Sequence, residues 1–409
     1  MKIVIVGGGL VGLATAYVLT QMIEGAIPCV CEKEPTLGAH QSTHNSGVLH
    51  AGLYYAPGSL KALLAVRGIR LMTAFAQRHD IPHEICGKIV VATEQREVGR
   101  LRDLFERGIA NRLRGLSWLE ADEVREREPN VRSVAAVHVP EEGIIDYAGV
   151  VHAMRAAIEA SGGRVMVNAP VLGARRDGGR WRVTAGSEEL SADFVVNCAG
   201  LYSDRVARLF GARPSTRIVP FRGDYFTLAR PGLVRHLVYP VPDPSFPFLG
   251  VHYTRMIGGG VECGPSAVLS LDREGYRPNS VRTRDAIDAL TFPGLWRFIA
   301  RYPRMTWGEL RRAQSPRLFL ESLQRLVPDV TLEDLQPGPT GVRAQAMRAD
   351  GTLVQDFDFV AGEGVLHVLN APSPGATASL AIGEEIARRV STLHGSTLRA
   401  DRLGLDVGV

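Results

Sequence analysis

The opening stretch MKIVIVGGGLVGLATAYVLTQM admits few folds. Residues 2–6 are a short, apolar, β-branched run, the pattern of a buried parallel strand. Gly7, Gly8, Gly9, Leu10, Val11 and Gly12 interrupt it, and residues 13–22 read as a helix. Residues 28–33, PCVCEK, supply a second strand. Strand, G-x-G-x-x-G, helix and second strand in that order predict a βαβ unit that binds a dinucleotide. Gly7 allows the tight turn, Gly9 lets the backbone approach a pyrophosphate, and Gly12 lets helix pack on strand. Leu10 and Val11 lie in the glycine turn before the helix, whose N-terminus turns N–H groups toward phosphate. Glu32, followed by Lys33, stands where an acid reaches the ribose. The same stretch has the hydropathy of a signal peptide or a membrane span. A lone Lys2, the early glycines and the lack of a small-residue cleavage site argue for a buried strand and helix instead. Neither a cleaved leader nor a membrane helix is expected.

A chain of 409 residues exceeds one simple core. Residues 162–177 and 179–200 are strand-rich and end in Asn197, Cys198, Ala199 and Gly200, and residues 364–390 read as strand, Pro/Gly loop and helix. These segments look like returns to the first sheet. The expected organisation is a Rossmann-like α/β nucleotide domain from residues 1–85, 149–215 and 336–409. An α+β substrate domain with a mostly antiparallel sheet is expected from 86–148 and 216–335. The formal net charge of +4 is scattered rather than striped, which argues against nucleic acid. The five cysteines show no metal-ligand spacing, so no metal is expected, and reduced thiols in a cytoplasmic compartment explain them.

The last glycine-rich turn, Pro374, Gly375, Ala376 and Thr377, precedes a helix expected to start near Gly375, at the far end of the chain from the first. An NAD domain held in one block needs no such distant segment; a larger cofactor lying across the sheet does. FAD is therefore favoured, with the C-terminal helix aimed at the flavin edge where charge collects on reduction.

The motifs VIVGGGLVGLATAYVL, HNSGVLHAGLYYAPGSLKA, VVNCAGLYSD, PFRGDYFTL, ECGPSAVLSLDREGY and NAPSPGATASLAIGEEIA, taken together, resemble the L-2-hydroxyglutarate oxidases and dehydrogenases. These are FAD-dependent oxidoreductases related to D-amino-acid oxidase and glycerol-3-phosphate dehydrogenase. The resemblance covers residues 1 to about 390. Ser266 departs from it, standing where asparagine is expected. The likeness implies oxidation of L-2-hydroxyglutarate to 2-oxoglutarate by hydride transfer from carbon 2 to flavin N5, with oxygen or quinone as the final acceptor. It implies that His44, Asn45, Ser46, Gly47 and Val48 pass along the cofactor, with Val171, Ala199, Gly200 and Gly341 also at the FAD. His50 is expected to reach the flavin ring, and Tyr54 and Tyr55 to line the pocket beside it.

Oxidising a secondary alcohol requires a base for the hydroxyl proton, and histidine titrates near the working pH. His50 and His252 are the two candidates. A dicarboxylate substrate needs cationic partners, for which Arg222, Arg255 and Arg343 lie in resemblance-bearing motifs; Lys61 stands either at the pocket mouth or, the favoured reading, on a surface helix. Residues 296–317, WRFIARYPRMTWGELRRAQSPR, carry six arginines and one glutamate among aromatic residues. That segment is a candidate for peripheral contact with an anionic membrane face, near quinone; a helical cap with a solvated basic face explains it equally. Amine or amino-acid oxidation, glycerol-3-phosphate oxidation and passive flavin binding are the competing readings.

Overall fold

The structure is a computed structural model that describes residues 1–230, 232–243, 249–399, 403 and 405; the rest of the expected 336–409 segment lies outside the described residues. Strand β1 (Lys2–Val6) is buried from Ile3 onward. Helix α1 (Leu10–Met22) is buried on nearly every face, as its all-round apolar sequence demands. Strand β2 (Ile27–Cys31) then pairs in parallel with β1. The helix begins at Leu10, three residues before the expected start. Gly9 is its N-cap, and Gly12 sits in the first turn, where a Cβ would lie 2.0 Å from the Gly7 carbonyl oxygen. Gly7 itself has φ +110°, open to glycine and strained for other residues.

The first sheet has six strands, in the order Asp358–Gly362, Val365–Asn370, Phe194–Asn197, β1, β2 and Arg164–Met166. Only its Asp358–Gly362 edge is antiparallel. The sequence thus returns to this sheet from the middle and the end of the chain. A second sheet of nine strands gathers Lys88–Ala92, Ser117–Glu120 and Ala135–Val139 with Thr216–Leu228, Leu237–Pro240, His252–Arg255, Val261–Gly264 and Val268–Leu269. Its ninth strand, Leu335–Arg348, pairs along Thr216–Leu228 from Thr216↔Arg348 to Leu228↔Leu335. Residues 336–348 therefore lie in the second sheet, although the expected boundary at 336 grouped them with the nucleotide domain. One pairing in this sheet, between Leu237–Pro240 and Lys88–Ala92, is parallel; the others are antiparallel. The C-terminal helix, Ser379–His394, lies so close to α1 that a Cβ on Gly383 would come within 2.9 Å of the Ala14 oxygen.

Candidate active site

A cavity of about 1010 Å³ extends from the β1–α1 turn to the second sheet. At one end lie Gly7, Gly9, Leu10, Val11, Glu32 and Lys33, with Val171, Ala199 and Gly200 beside them. His44, Asn45, Ser46 and Val48 line its length together with Gly341, and Pro374, Gly375, Ala376 and Thr377 close the far part. Gly12 and Gly47 do not line it. Gly12 lets α1 approach β1, and Gly47, at φ +65°, turns the chain where a Cβ would press the Ile145 oxygen at 3.2 Å.

Main-chain contacts shape the nucleotide end. Glu32 accepts the Gly8 N–H at 2.7 Å and the Glu34 N–H at 2.9 Å, which fixes its carboxylate beside the glycine turn. Ser42 Oγ accepts the Leu10 N–H at 2.9 Å. Lys33 Nζ is held by Glu34 and, at 2.5 Å, by Glu274, so its ammonium ties the loop after β2 to the segment that follows Val268–Leu269. The C-terminal helix starts at Ser379, not near Gly375, because residues 373–378 form turns in which Gly375 N–H bonds Pro372 O at 2.8 Å. Thr377 is buried in these turns: its Oγ1 lies 3.2 Å from the His50 N–H and 3.1 Å from the Val48 oxygen, joining the chain end to the histidine segment.

At the second-sheet end, His252 stacks on Tyr239 with ring centroids 3.9 Å apart, and His50 meets the same tyrosine edge-on at 6.5 Å. The two candidate histidines therefore flank one ring. His252 Nδ1 lies 2.8 Å from the Gly250 carbonyl, which can only accept, so the proton is on Nδ1 and Nε2 carries the lone pair. Burial first, then the cations Lys88 and Arg343 and the neighbouring His50, pull the His252 pKa down to about 3 against the Gly250 hydrogen bond. His252 is thus neutral at working pH.

Of the three expected arginines, only Arg343 lines the cavity. Side chains alternate across a strand. Gly223 and Tyr225 face the cavity, so Arg222 faces away and pairs with Asp224 at 3.0 Å. His252 faces it as well, so Arg255, three residues on, lies on the opposite side, where it is forked onto Glu84 at 2.7 and 3.0 Å. The assignment of Arg222 and Arg255 to the substrate is therefore corrected. Arg343 donates to the Ser266 carbonyl at 3.3 Å, while Ser266 Oγ accepts the Asp224 N–H at 3.0 Å. The residue that departs from the family pattern thus supports the arginine strand. For Lys61 the pocket position holds in place of the favoured surface one: it lines the cavity over the Tyr55 ring at 4.6 Å, and burial lowers its pKa to about 8 despite Asp356.

Tyr54 and Tyr55 both line the cavity as expected, whereas sequence reasoning missed Tyr225 and Tyr239 on its wall, and Lys88 and Glu142 behind His50. A lysine opening the apolar run KIVVA was the available signal for Lys88.

A family model described as FAD dependent oxidoreductase matches residues 2–389. The chain belongs to that family. Its members' cofactor suits the cavity: the glycines at both ends approach neighbouring backbone so closely that a Cβ would lie 2.5 Å from Cys198 O at Gly7, 2.5 Å from His44 O at Gly341 and 2.7 Å from Ala371 O at Gly375. Among curated relatives, L-2-hydroxyglutarate dehydrogenase of Escherichia coli K12 is 43% identical, covering 98% of this chain and 96% of that protein. The mitochondrial enzyme of that name from Homo sapiens is 42% identical, over 95% of this chain and 88% of that protein. The fold also matches L-alpha-glycerophosphate oxidase from Mycoplasma pneumoniae, with TM-score 0.76, 23% identity, and 98% and 96% of the two chains covered. Glycine oxidase from Geobacillus kaustophilus gives TM-score 0.73 at 19% identity, covering 100% and 98%.

Proposed function

We propose that this FAD-dependent oxidoreductase oxidises L-2-hydroxyglutarate to 2-oxoglutarate. The observation that carries the reading is the pairing of a neutral histidine, His252, with a cavity-lining cation, Arg343, in a chain 43% identical to an enzyme named for that substrate. Bound FAD supplies the two-electron acceptor for the hydride of carbon 2. Gly7, Gly9, Leu10, Val11, Glu32 and the 44–48 segment would hold it, together with Thr377 and its turn. His252 Nε2 accepts the hydroxyl proton, because its other nitrogen is committed to Gly250. Arg343 and Lys61 receive the two carboxylates, and Tyr55, under Lys61, walls the pocket. Burial makes each charge-assisted contact worth about 1.5–3 kcal/mol.

Electrons leave to oxygen or to quinone. Contact of 296–317 with an anionic membrane face would favour the quinone route. Within 296–317, Trp296 and Trp307 are 54% and 63% exposed, while Phe298 is buried. Pro303 and Pro316 break the segment into three short helices rather than one amphipathic rod. None of the described helices is long and apolar enough to cross a membrane. Salt-sensitive flotation with anionic liposomes is expected; its absence discards the membrane route.

The activity is tested by adding L-2-hydroxyglutarate to the purified holoprotein without oxygen. The flavin absorbance should bleach with the L form and persist with the D form, glycerol 3-phosphate and glycine. Bleaching by glycine or glycerol 3-phosphate alone would transfer the fold to another substrate. His252→Ala should slow the reduction by about 10²–10⁴-fold.

A further inference from the structure

Lys88 and Glu142 are fully buried, and the chemistry above gives them no role. Lys88 opens the strand Lys88–Ala92, and Glu142 precedes the short strand Gly143–Ile145. Burying either charge costs several kcal/mol unless it is paired. Here the Lys88 ammonium contacts the Glu142 carboxylate, whose other oxygen accepts the Ala51 N–H at 3.0 Å. The same ammonium lies 3.1 Å from His50 Nδ1 and 4.2 Å above the Tyr239 ring. Glu142 Oε2 is farther from that nitrogen, at 3.5 Å.

An ammonium offers three donors and no acceptor. The closer contact therefore requires a lone pair at His50 Nδ1 and puts the proton of the neutral ring on Nε2. That nitrogen has no protein partner among the described residues, and His50 lines the cavity. We propose that Lys88 and Glu142 are positioning residues that hold His50 as a neutral Nε2–H donor toward the substrate. His50 would then donate to a substrate oxygen while His252 accepts the proton. The two histidines flanking Tyr239 become a donor and an acceptor rather than rival bases. The substrate half of this inference rests on the proposed function; the tautomer half does not.

The charges around the ring set opposite effects for the two residues. Burial lowers the His50 pKa most, Lys88 and Lys61 lower it further, and Glu142 raises it. Lys88 faces Glu142 and Cys86, and it also lies over the Tyr54 ring at 5.5 Å. Removing the cation leaves His50 facing a carboxylate, so its pKa rises. Removing the carboxylate leaves it facing a cation, so its pKa falls.

The test is nitrogen-15 NMR of histidine-labelled holoenzyme between roughly pH 5 and pH 9, with His50 assigned by the signal lost in His50→Gln. The parent should show an Nε2-protonated neutral ring at neutral pH. Lys88→Met should move the His50 titration up by about one unit or more, and Glu142→Gln should move it down. The double variant Lys88→Met/Glu142→Gln, with no buried charge left, should fall between them and serves if Lys88→Met folds poorly. A parent ring protonated on Nδ1, or two single variants that shift the same way, would overturn the proposal, since loosened packing has no reason to act with opposite signs. Opposite shifts accompanied by an unchanged dissociation constant for L-2-hydroxyglutarate would keep the tautomer and reject the contact with that substrate.

Discussion

Lys88→Met should destabilise the folded protein by about 3–5 kcal/mol, and adding Glu142→Gln to it should recover most of that loss. Burial alone would raise the Glu142 pKa; the Lys88 cation, joined by His50 at the low pH where that ring is protonated, reverses this and holds the carboxyl at about 2, against an ordinary 4.5. A depression of that size corresponds to roughly 3 kcal/mol at neutral pH, at about 1.4 kcal/mol per unit. The folded value lies below the unfolded one, so this stability is present above about pH 4.5 and is lost as the pH falls toward 2. Lys88 works against the gain, because burial lowers its own pKa. The pair therefore adds little net stability, yet breaking it from one side leaves a buried, unmatched carboxylate. The amide introduced by Glu142→Gln can still accept the Ala51 N–H without carrying charge. Urea denaturation of the FAD-loaded protein, followed by tryptophan fluorescence, measures both variants. The deficit of Lys88→Met should shrink on acidification, because its carboxylate then takes up a proton more readily than the parent's. A double variant as unstable as Lys88→Met, or a deficit independent of pH, would refute the reasoning.

Three further outcomes are expected. Gly12→Ala should purify with little or no flavin, read from the ratio of visible to ultraviolet absorbance, because its Cβ would lie 2.0 Å from the Gly7 oxygen and neither backbone can yield. Arg343→Met should weaken L-2-hydroxyglutarate binding by about 10–100-fold, the worth of one charge-assisted contact, while Arg255→Met, forked onto Glu84 away from the cavity, should leave the dissociation constant unchanged. Affinity for the dicarboxylate should fall as pH rises through about 8, where Lys61 loses its proton, and Lys61→Met should abolish that break.

Much of the nucleotide end was legible because main-chain geometry builds it. A glycine required by a carbonyl 2.0 or 2.5 Å from a would-be Cβ is visible in the sequence as a glycine at fixed spacing. The βαβ order makes Gly7, Gly9 and Gly12 readable without any structure. The substrate end is built from side chains on strands whose register no local pattern announces. Arg222 and Arg255 shared motifs with true cavity residues, yet the strand pleat sends them to the other face, beside Asp224 and Glu84. The strand Leu335–Arg348 was assigned to the wrong sheet because its partner, Thr216–Leu228, is more than a hundred residues earlier in the chain.

The same contrast explains why the two histidines could not be ranked from the sequence. Each is a titratable ring near the cavity, and their motifs carry no information about which nitrogen is engaged. The partners decide it: a carbonyl, which only accepts, takes His252 Nδ1, and an ammonium, which only donates, takes His50 Nδ1. The carbonyl is two residues away in sequence, whereas the ammonium comes from a strand 38 residues on. A residue's role in this site is therefore written in the atom that faces away from the substrate. Substitutions behind His50, at Lys88 and Glu142, should separate donor from acceptor more cleanly than removal of either ring, because the Gly250 contact to His252 is main chain and persists in all of them.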